Sequence, residues 1–229
     1  MERIALSNSA FEGDNNAYLF DGPETVLVDT GDWMTGTREQ LRAGLADHGV
    51  SFSDIDRVLL THWHHDHTGL AGEIQAESGA TVHVHEADAP LVAGDEDAWR
   101  ALTDLQDRYF EAWGVPDDRR AILRDIFSYQ GEIQSRPDVS TFQDGATFDL
   151  GEIELRAVHT SGHADGLCLF EIHDGGPVSV ISGDALLPVY TPNVGGADVR
   201  VERPLPKYLR ALATIADAGY ERAWPGHRD

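Results

Sequence analysis

Four of the chain's 11 histidines fall within six residues, in the segment Thr61-His62-Trp63-His64-His65-Asp66-His67. Neutral imidazole nitrogen is a common ligand for divalent metal ions, and carboxylate oxygen complements it. His62 and His64 stand two apart, so in an extended segment their side chains project to the same side. Asp66 and His67 come where the chain turns into a helix and can face another direction. One short loop can therefore offer two ligand pairs to two neighbouring ions. Three further metal-capable residues occur singly, each preceded by glycine and each just after an expected strand. They are His163 in Thr160-Ser161-Gly162-His163, Asp184 in Ser182-Gly183-Asp184, and His227 in Pro225-Gly226-His227. Loops at one edge of a sheet converge in space and are a usual place for a site. Each residue alone reads as an ordinary turn residue, and an exposed histidine-rich loop is common. Their occurrence together favours one metal site.

The elements that must position these loops follow from periodicity and turn chemistry. Short strands at about 17–20 and 25–29 flank the turn Asp21-Gly22-Pro23. Thr37 and Gln40 form a capping-box pattern for a helix over about 38–48, with Gly49 fitting its end. Arg57-Val58-Leu59-Leu60-Thr61 is a short buried strand that runs into the histidine loop. A helix over about 69–78 and a strand at 80–85 come next. Between 87 and 135 the pattern changes. Trp99, Leu102, Leu105, Tyr109, Phe110 and Trp113 recur at helical spacing, and Gly114-Val115-Pro116 breaks that helix. Ile122, Leu123, Ile126 and Phe127 mark one face of a second. This predicts a helical hairpin inserted between strands. Strands at 139–142, 146–149, 152–159, 167–173 and 177–182 follow, then a helix over about 204–217 and a strand at 221–224. No composition break marks a boundary, so one α/β domain over residues 1–229 is expected.

Composition narrows the function classes. The 229 residues are 41% apolar, enough for a proper core, yet carry 40 acidic against 17 basic residues and a formal charge of −23. So acidic a surface repels phosphate backbones and anionic lipid, which argues against nucleic-acid and membrane partners. One lysine, Lys207, stands against 16 arginines, and 25 Asp stand against 15 Glu. This balance fits a salt-adapted, halophilic protein in whose solvent repulsion is screened. The single Cys168 excludes an intrachain disulfide and a cysteine-based zinc site. The first 20 residues lack a basic start followed by an apolar run, and no apolar stretch approaches 18 residues, so a cytoplasmic location is expected.

Taken in order, HxHxDH, then GH, GD and PGH, the chain resembles the metallo-β-lactamase fold superfamily. Within it the likeness is to the hydroxyacylglutathione-hydrolase-like (glyoxalase II-like) branch. Val28-Asp29-Thr30-Gly31 matches the family's early D-T-G element, and the likeness covers nearly the whole chain. It implies a four-layer αββα sandwich with a dinuclear site at one edge. By that pattern His62, His64 and His163 hold one metal, while Asp66, His67 and His227 hold the other. Asp184 bridges the two, and Asp29 orients a ligand histidine through a hydrogen bond. The implied cofactors are two divalent ions, zinc first, with iron and manganese also fitting imidazole–carboxylate donors. A water between two such ions loses its proton far more easily than free water. The implied function is hydrolysis of a small ester, thioester or lactone by a metal-bridging hydroxide, with Asp66 and Asp184 as catalytic carboxylates and a small-molecule acyl substrate. A mononuclear iron persulfide dioxygenase is an alternative within the same fold, disfavoured by the full ligand set. A phosphodiesterase or nuclease is another, disfavoured by the charge.

Some residues depart from the family pattern. Ala164-Asp165-Gly166 follows His163 where relatives more often have T-P-G, and the added Asp165 carboxylate would disfavour strongly anionic substrates. The chain stops at Asp229, two residues past His227, where relatives continue, so either the C-terminus is truncated or substrate contacts come from elsewhere; the helical insertion is then a candidate cover for the site or a purely structural addition. Tyr190 is a candidate to stabilise a substrate oxyanion, as a tyrosine does in some lactonase relatives. His65 is expected near the rim. His83, His85 and His159 read as packing residues, and Cys168 as core.

Overall fold

The computed structural model describes every residue except 9–12, 129–132, 134 and 197, and all side chains of the rest except those of 126–128. Alternation gives each central strand two buried faces. In β2 (Asn15–Phe20) Ala17 and Leu19 face one way, while Tyr18 and Phe20 face the other. In β3 (Val26–Val28) Leu27 opposes Val26 and Val28, and in β4 (Arg57–Leu59) Val58 opposes Leu59. These strands join β1 (Glu2–Leu6), β5 (Thr81–His85) and β6 (Val139–Phe142) in a six-stranded sheet of order β1-β2-β3-β4-β5-β6. A second sheet has the order β11-β10-β9-β8-β7. Its strands are β7 (Thr147–Asp149), β8 (Glu154–His159), β9 (Cys168–His173), β10 (Ser179–Gly183) and β11 (Ala223–Pro225).

The sheets face each other across an apolar layer of Tyr18, Phe20, Val28 and Leu59 with Phe148, Leu155, Phe170 and Ile181. Fully burying one such side chain contributes about 1.5–3 kcal/mol. On the outer face of the first sheet, Leu41 and Leu45 of α1 (Thr35–Ala46) and Ile74 of α3 (Ala71–Ser78) join Leu19, Leu27 and Val58. On the other side, Ile215 of α7 (Pro204–Ala218) joins the apolar cluster that contains Leu169 and Val180. The result is the expected four-layer αββα sandwich. No helix among the described residues is long and apolar enough to cross a membrane.

Strand direction explains where the ligand loops meet. β3, β4, β5 and β6 pair in parallel, as do β10 and β11, and parallel neighbours need helical crossovers. The loops that leave β3, β4 and β5 therefore share one edge. β8 and β10 both pair antiparallel to β9, so the loops after β8, β10 and β11 share an edge as well.

The insertion lies between β5 and β6 as α4 (Ala89–Val92), α5 (Glu96–Ala112) and α6 (Asp117–Ser128), with Gly114 at φ 70° in the break. Its expected part at 129–132 and 134, and the Ile126 and Phe127 side chains, lie outside the described residues. Two expectations change. β1 has no counterpart in the sequence reading, because only Ile4 and Leu6 of its five residues face the core. The capping box at Thr37 and Gln40 does not form. α1 begins earlier, with Met34 at its N-cap, and Thr37 is buried inside the helix. Other bonds take over: within the preceding loop Asp32 Oδ1 accepts from the Met34 N–H at 2.8 Å, and across the fold Gln40 Oε1 accepts from the Ser7 N–H at 2.7 Å.

Candidate metal centre

The short β4 strand ends at Leu59, and the chain turns through 60–64 into α2 (His65–Thr68), which carries Asp66 and His67. His163 comes from the loop after β8, Asp184 directly follows β10, and His227 follows β11. All seven expected ligands converge and all are buried. Their donor atoms form three groups: His62, His64 and His163; His62, His67 and Asp184; Asp66, His67 and His227. His64 Nδ1 lies 2.9 Å from both His62 Nε2 and His163 Nε2. His67 Nε2 and His227 Nε2 are 3.3 Å apart. Asp184 reaches His67, His163 and His227 at 3.4 Å each, and Asp66 Oδ2 is 3.5 Å from His227 Nε2. Bonds of about 2.0–2.1 Å to a tetrahedral zinc ion put its ligand atoms about 3.3 Å apart, so the donor set fits such ions.

The far sides of three of the rings are fixed. His163 Nδ1 donates to Asn193 O at 2.8 Å and His227 Nδ1 to Gly13 O at 2.9 Å. His67 Nδ1 donates to Asp29 Oδ2 at 2.8 Å. These bonds leave Nε2 of all three rings facing inward. Asp29 also accepts from the Thr61 N–H and Oγ1, each at 2.8 Å. Its backbone sits at φ 58°, a left-handed conformation that a non-glycine residue adopts only at a cost. Gly226 is a glycine for a spatial reason, since a Cβ there would strike Asp184 Oδ1 and His67 Cε1.

Charge shows what the pocket needs. Burial pushes the His62 and His64 imidazoles down, His64 to about 3. Burial also opposes ionisation of Asp66 and Asp184, but His67 and His227 outweigh it and hold both carboxyls well below the usual range. At His67 and His227 burial favours the neutral ring, yet Asp184 and its neighbouring carboxylates lift both, His227 to about 9. The pocket thus demands positive charge, which protons or cations can supply. Asp184 Oδ1 has no hydrogen-bond partner among the described residues, as a carboxylate oxygen reserved for a cation would not.

Sequence reasoning missed a second charged group that grips the same loops. Asp88 Oδ2 accepts from the Trp63 N–H at 3.1 Å, and Oδ1 from the Gly166 N–H at 3.0 Å. Asp198 Oδ2 accepts from Trp63 Nε1 at 3.0 Å and from the Asp165 N–H at 2.9 Å. Arg200 lies between them, 2.7 Å from each carboxylate. Both aspartates are fully buried. Burial raises the Asp88 carboxyl, whereas at Asp198 the Arg200 bonds overcome burial and lower it. The three residues tie the loop of His62 and His64 to the loop of His163. The only local signal was the Asp198-x-Arg200 pair. Asn15 was missed too; its Nδ2 donates to Asp66 Oδ2 at 3.2 Å.

The remaining candidates separate. Tyr190 is half-buried, with the Arg228 guanidinium 5.3 Å from its ring centroid. His65 is 4% exposed rather than at the rim, with its ring edge against Trp33 at 5.3 Å. His83 packs on Phe148, His85 stacks on His159 at 4.1 Å, and Cys168 is buried at the start of β9. The insertion reaches the centre through a ring relay, with Trp99 5.6 Å from Trp63 and Trp63 4.6 Å from His64.

The sequence matches the profile of the Metallo-beta-lactamase superfamily over residues 10–227. It is 30% identical to the metallo-beta-lactamase family protein TTHA1429 of Thermus thermophilus, whose crystal structure superposes with a TM-score of 0.84 over 100% of this chain and 73% of that one. The probable metallo-hydrolase YqjP of Bacillus subtilis (strain 168) is 29% identical over 226 residues, covering 94% of this chain and 67% of that protein. The atrochrysone carboxyl ACP thioesterase of Passalora fulva is 26% identical over 222 residues, covering 95% of this chain and 49% of that protein. The chain spans about half to two thirds of the length of the curated relatives it matches. A match that runs almost end to end, on a fold that superposes this well, makes the chain a member of the metallo-beta-lactamase superfamily.

Proposed function

We propose that the chain is a metal-dependent hydrolase of small acyl esters, with thioesters as its first substrate class. The observation that carries the reading is the overlap of the three donor groups, in which His62 and His67 each belong to two. In this reading His62, His64 and His163 would hold one divalent cation, Asp66, His67 and His227 would hold a second, and Asp184 would serve both. Two such ions, zinc first, would polarise the scissile carbonyl and supply a water that deprotonates near neutral pH. The chain's own residues do the positioning. Asn193 O, Gly13 O and Asp29 fix the ring tautomers, so that each Nε2 keeps its lone pair toward the site. The Asp66 carboxylate, held by Asn15, stays ionised and can accept a hydrogen bond from the attacking water. Tyr190 is the proposed donor to the substrate oxyanion. The thioesterase relative supports thioesters over lactones, in keeping with glyoxalase II-like chemistry. The charge of −23 supports small substrates over nucleic acid and a salt-rich cytoplasm as the working solvent.

The test is an assay of metal-loaded protein on ester, thioester and lactone substrates, with metal content measured in parallel. The expected result is thioester hydrolysis that a chelator abolishes and added metal restores. A folded, fully metallated protein that cleaves none of the three overturns the reading.

A further inference from the structure

Acidic residues outnumber basic ones 40 to 17, yet α7, like α5 with Arg108, carries a basic side chain without an acidic partner among the described residues. Its only acidic residue is Asp217, near its C-terminus. Arg210 makes no ion pair or hydrogen bond among the described residues and faces a cleft of about 350 Å³. Lys207, the only lysine of the chain, lines the same cleft with Thr160, Ser161 and Thr214. Lys207 Nζ is 3.5 Å from Ser161 Oγ and 3.5 Å from Asp165 Oδ1. The Asp165 carboxylate, which the sequence set against anionic substrates, is therefore already matched by a cation. Arg210 is left as surplus positive charge.

Thr160 lines this cleft with its Oγ1 buried, which leaves the half-buried Ser161 hydroxyl as the neutral group beside the two cations. The cleft is lined by the start of a ligand loop. Its Thr160 and Ser161 lead directly into His163, and Tyr208 of α7 packs on Gly162, where an added Cβ would lie 2.8 Å from the Tyr208 Cα.

We propose that this cleft is an anion subsite for the phosphate of a thioester substrate's carrier arm. Lys207 and Arg210 supply the charged donors, and the Ser161 hydroxyl supplies a neutral one. The use of the subsite in catalysis rests on the thioester reading above; its existence does not.

Two measurements test it separately. In the first, metal-loaded protein hydrolyses acetyl-coenzyme A and the phosphate-free N-acetylcysteamine thioester. Arg210→Ala should lower the ratio of the two kcat/KM values about tenfold, the worth of one charge-assisted hydrogen bond. Arg108→Ala, which removes an exposed arginine from α5, should leave that ratio unchanged. Equal losses on both thioesters for Arg210→Ala overturn the proposal. In the second, calorimetry on chelated, metal-free protein compares coenzyme A with pantetheine. Coenzyme A should bind, pantetheine should not, and the Lys207→Ala/Arg210→Ala double variant should abolish binding. No coenzyme A binding overturns the subsite whatever the activity. Binding without any thioester hydrolysis upholds the subsite and overturns the proposed function. Displacement of coenzyme A by succinate as readily as by inorganic phosphate assigns the cleft to carboxylates and overturns the phosphate assignment.

Discussion

Two buried charged clusters meet at Trp63, and they balance charge in opposite ways. In the Asp88–Arg200–Asp198 cluster, a guanidinium from the chain itself lies 2.7 Å from two carboxylates. Backbone N–H groups of Trp63, Asp165 and Gly166 take up remaining oxygen positions. The ligand cluster has Asp66 and Asp184 inside, Asp29 behind them, and no arginine or lysine in contact among the described residues. Its positive charge must come from protons on His67 and His227 or from bound ions. The first cluster is complete as folded and acts as a clamp. The second is built to be completed. Burial is nearly the same in both, so it is the source of the counter-charge that separates a structural ion cluster from a site.

The sharpest break in this contrast is at Asp184. Asp184→Ala should reduce bound metal and take chelator-sensitive hydrolysis to background while the fold survives, as read by metal analysis and circular dichroism. Retained metal and activity would show that the seven residues are not the ligand set. Arg200→Met should act on the other cluster and on stability instead. It leaves two buried carboxylates without their cation, which costs about 3–5 kcal/mol. Denaturant unfolding at neutral pH measures it, and a loss below about 1 kcal/mol, the range of an exposed ion pair, would mean that the clamp is not what holds the loops. Asp29→Asn sits between the two cases. It keeps the shape but removes the charge behind His67, and a metal affinity about 10–100-fold weaker is expected from competitive chelation.

A last effect is one of pH. In metal-free protein, His227 titrates at about 9, above its unfolded value of about 6.5. Its contribution to stability is therefore complete below about 6.5 and is lost as pH rises through about 9. His67 adds to the same trend. Unfolding midpoints of the metal-free protein should fall across that window, and metal-loaded protein should show little slope, because the cations replace the protons. A flat metal-free profile would remove the charge argument for the site.

The ligand loops were legible because the first packs four histidines and an aspartate into six residues, and the other three each pair a metal-capable residue with a strand end and a preceding glycine; all of these properties are local. The strands were legible because a short apolar run, as at Ala17–Phe20 or Val58–Leu60, needs only neighbouring residues. β1 was not, since two apolar residues in five give too little pattern. The Thr37–Gln40 signal was local and real, but the Asp32 and Gln40 bonds decided the helix start instead. Asp88, Asp198 and Arg200 were hidden for a related reason. Charged loop residues are ordinarily solvated, and nothing within a few positions of Asp88 reports that Arg200, 112 residues on, will neutralise it.

The donor set also draws on both halves of the sandwich. His62, His64, Asp66 and His67 hang from the first sheet, whereas His163, Asp184 and His227 hang from the second. An ion held between His67 and His227 would close a loop of 160 residues. It would act as a removable cross-link between the two sheets, and its binding free energy would count toward folding. Thermal midpoints should therefore rise with free metal concentration, and chelation should loosen the seam between the layers before it disturbs either sheet.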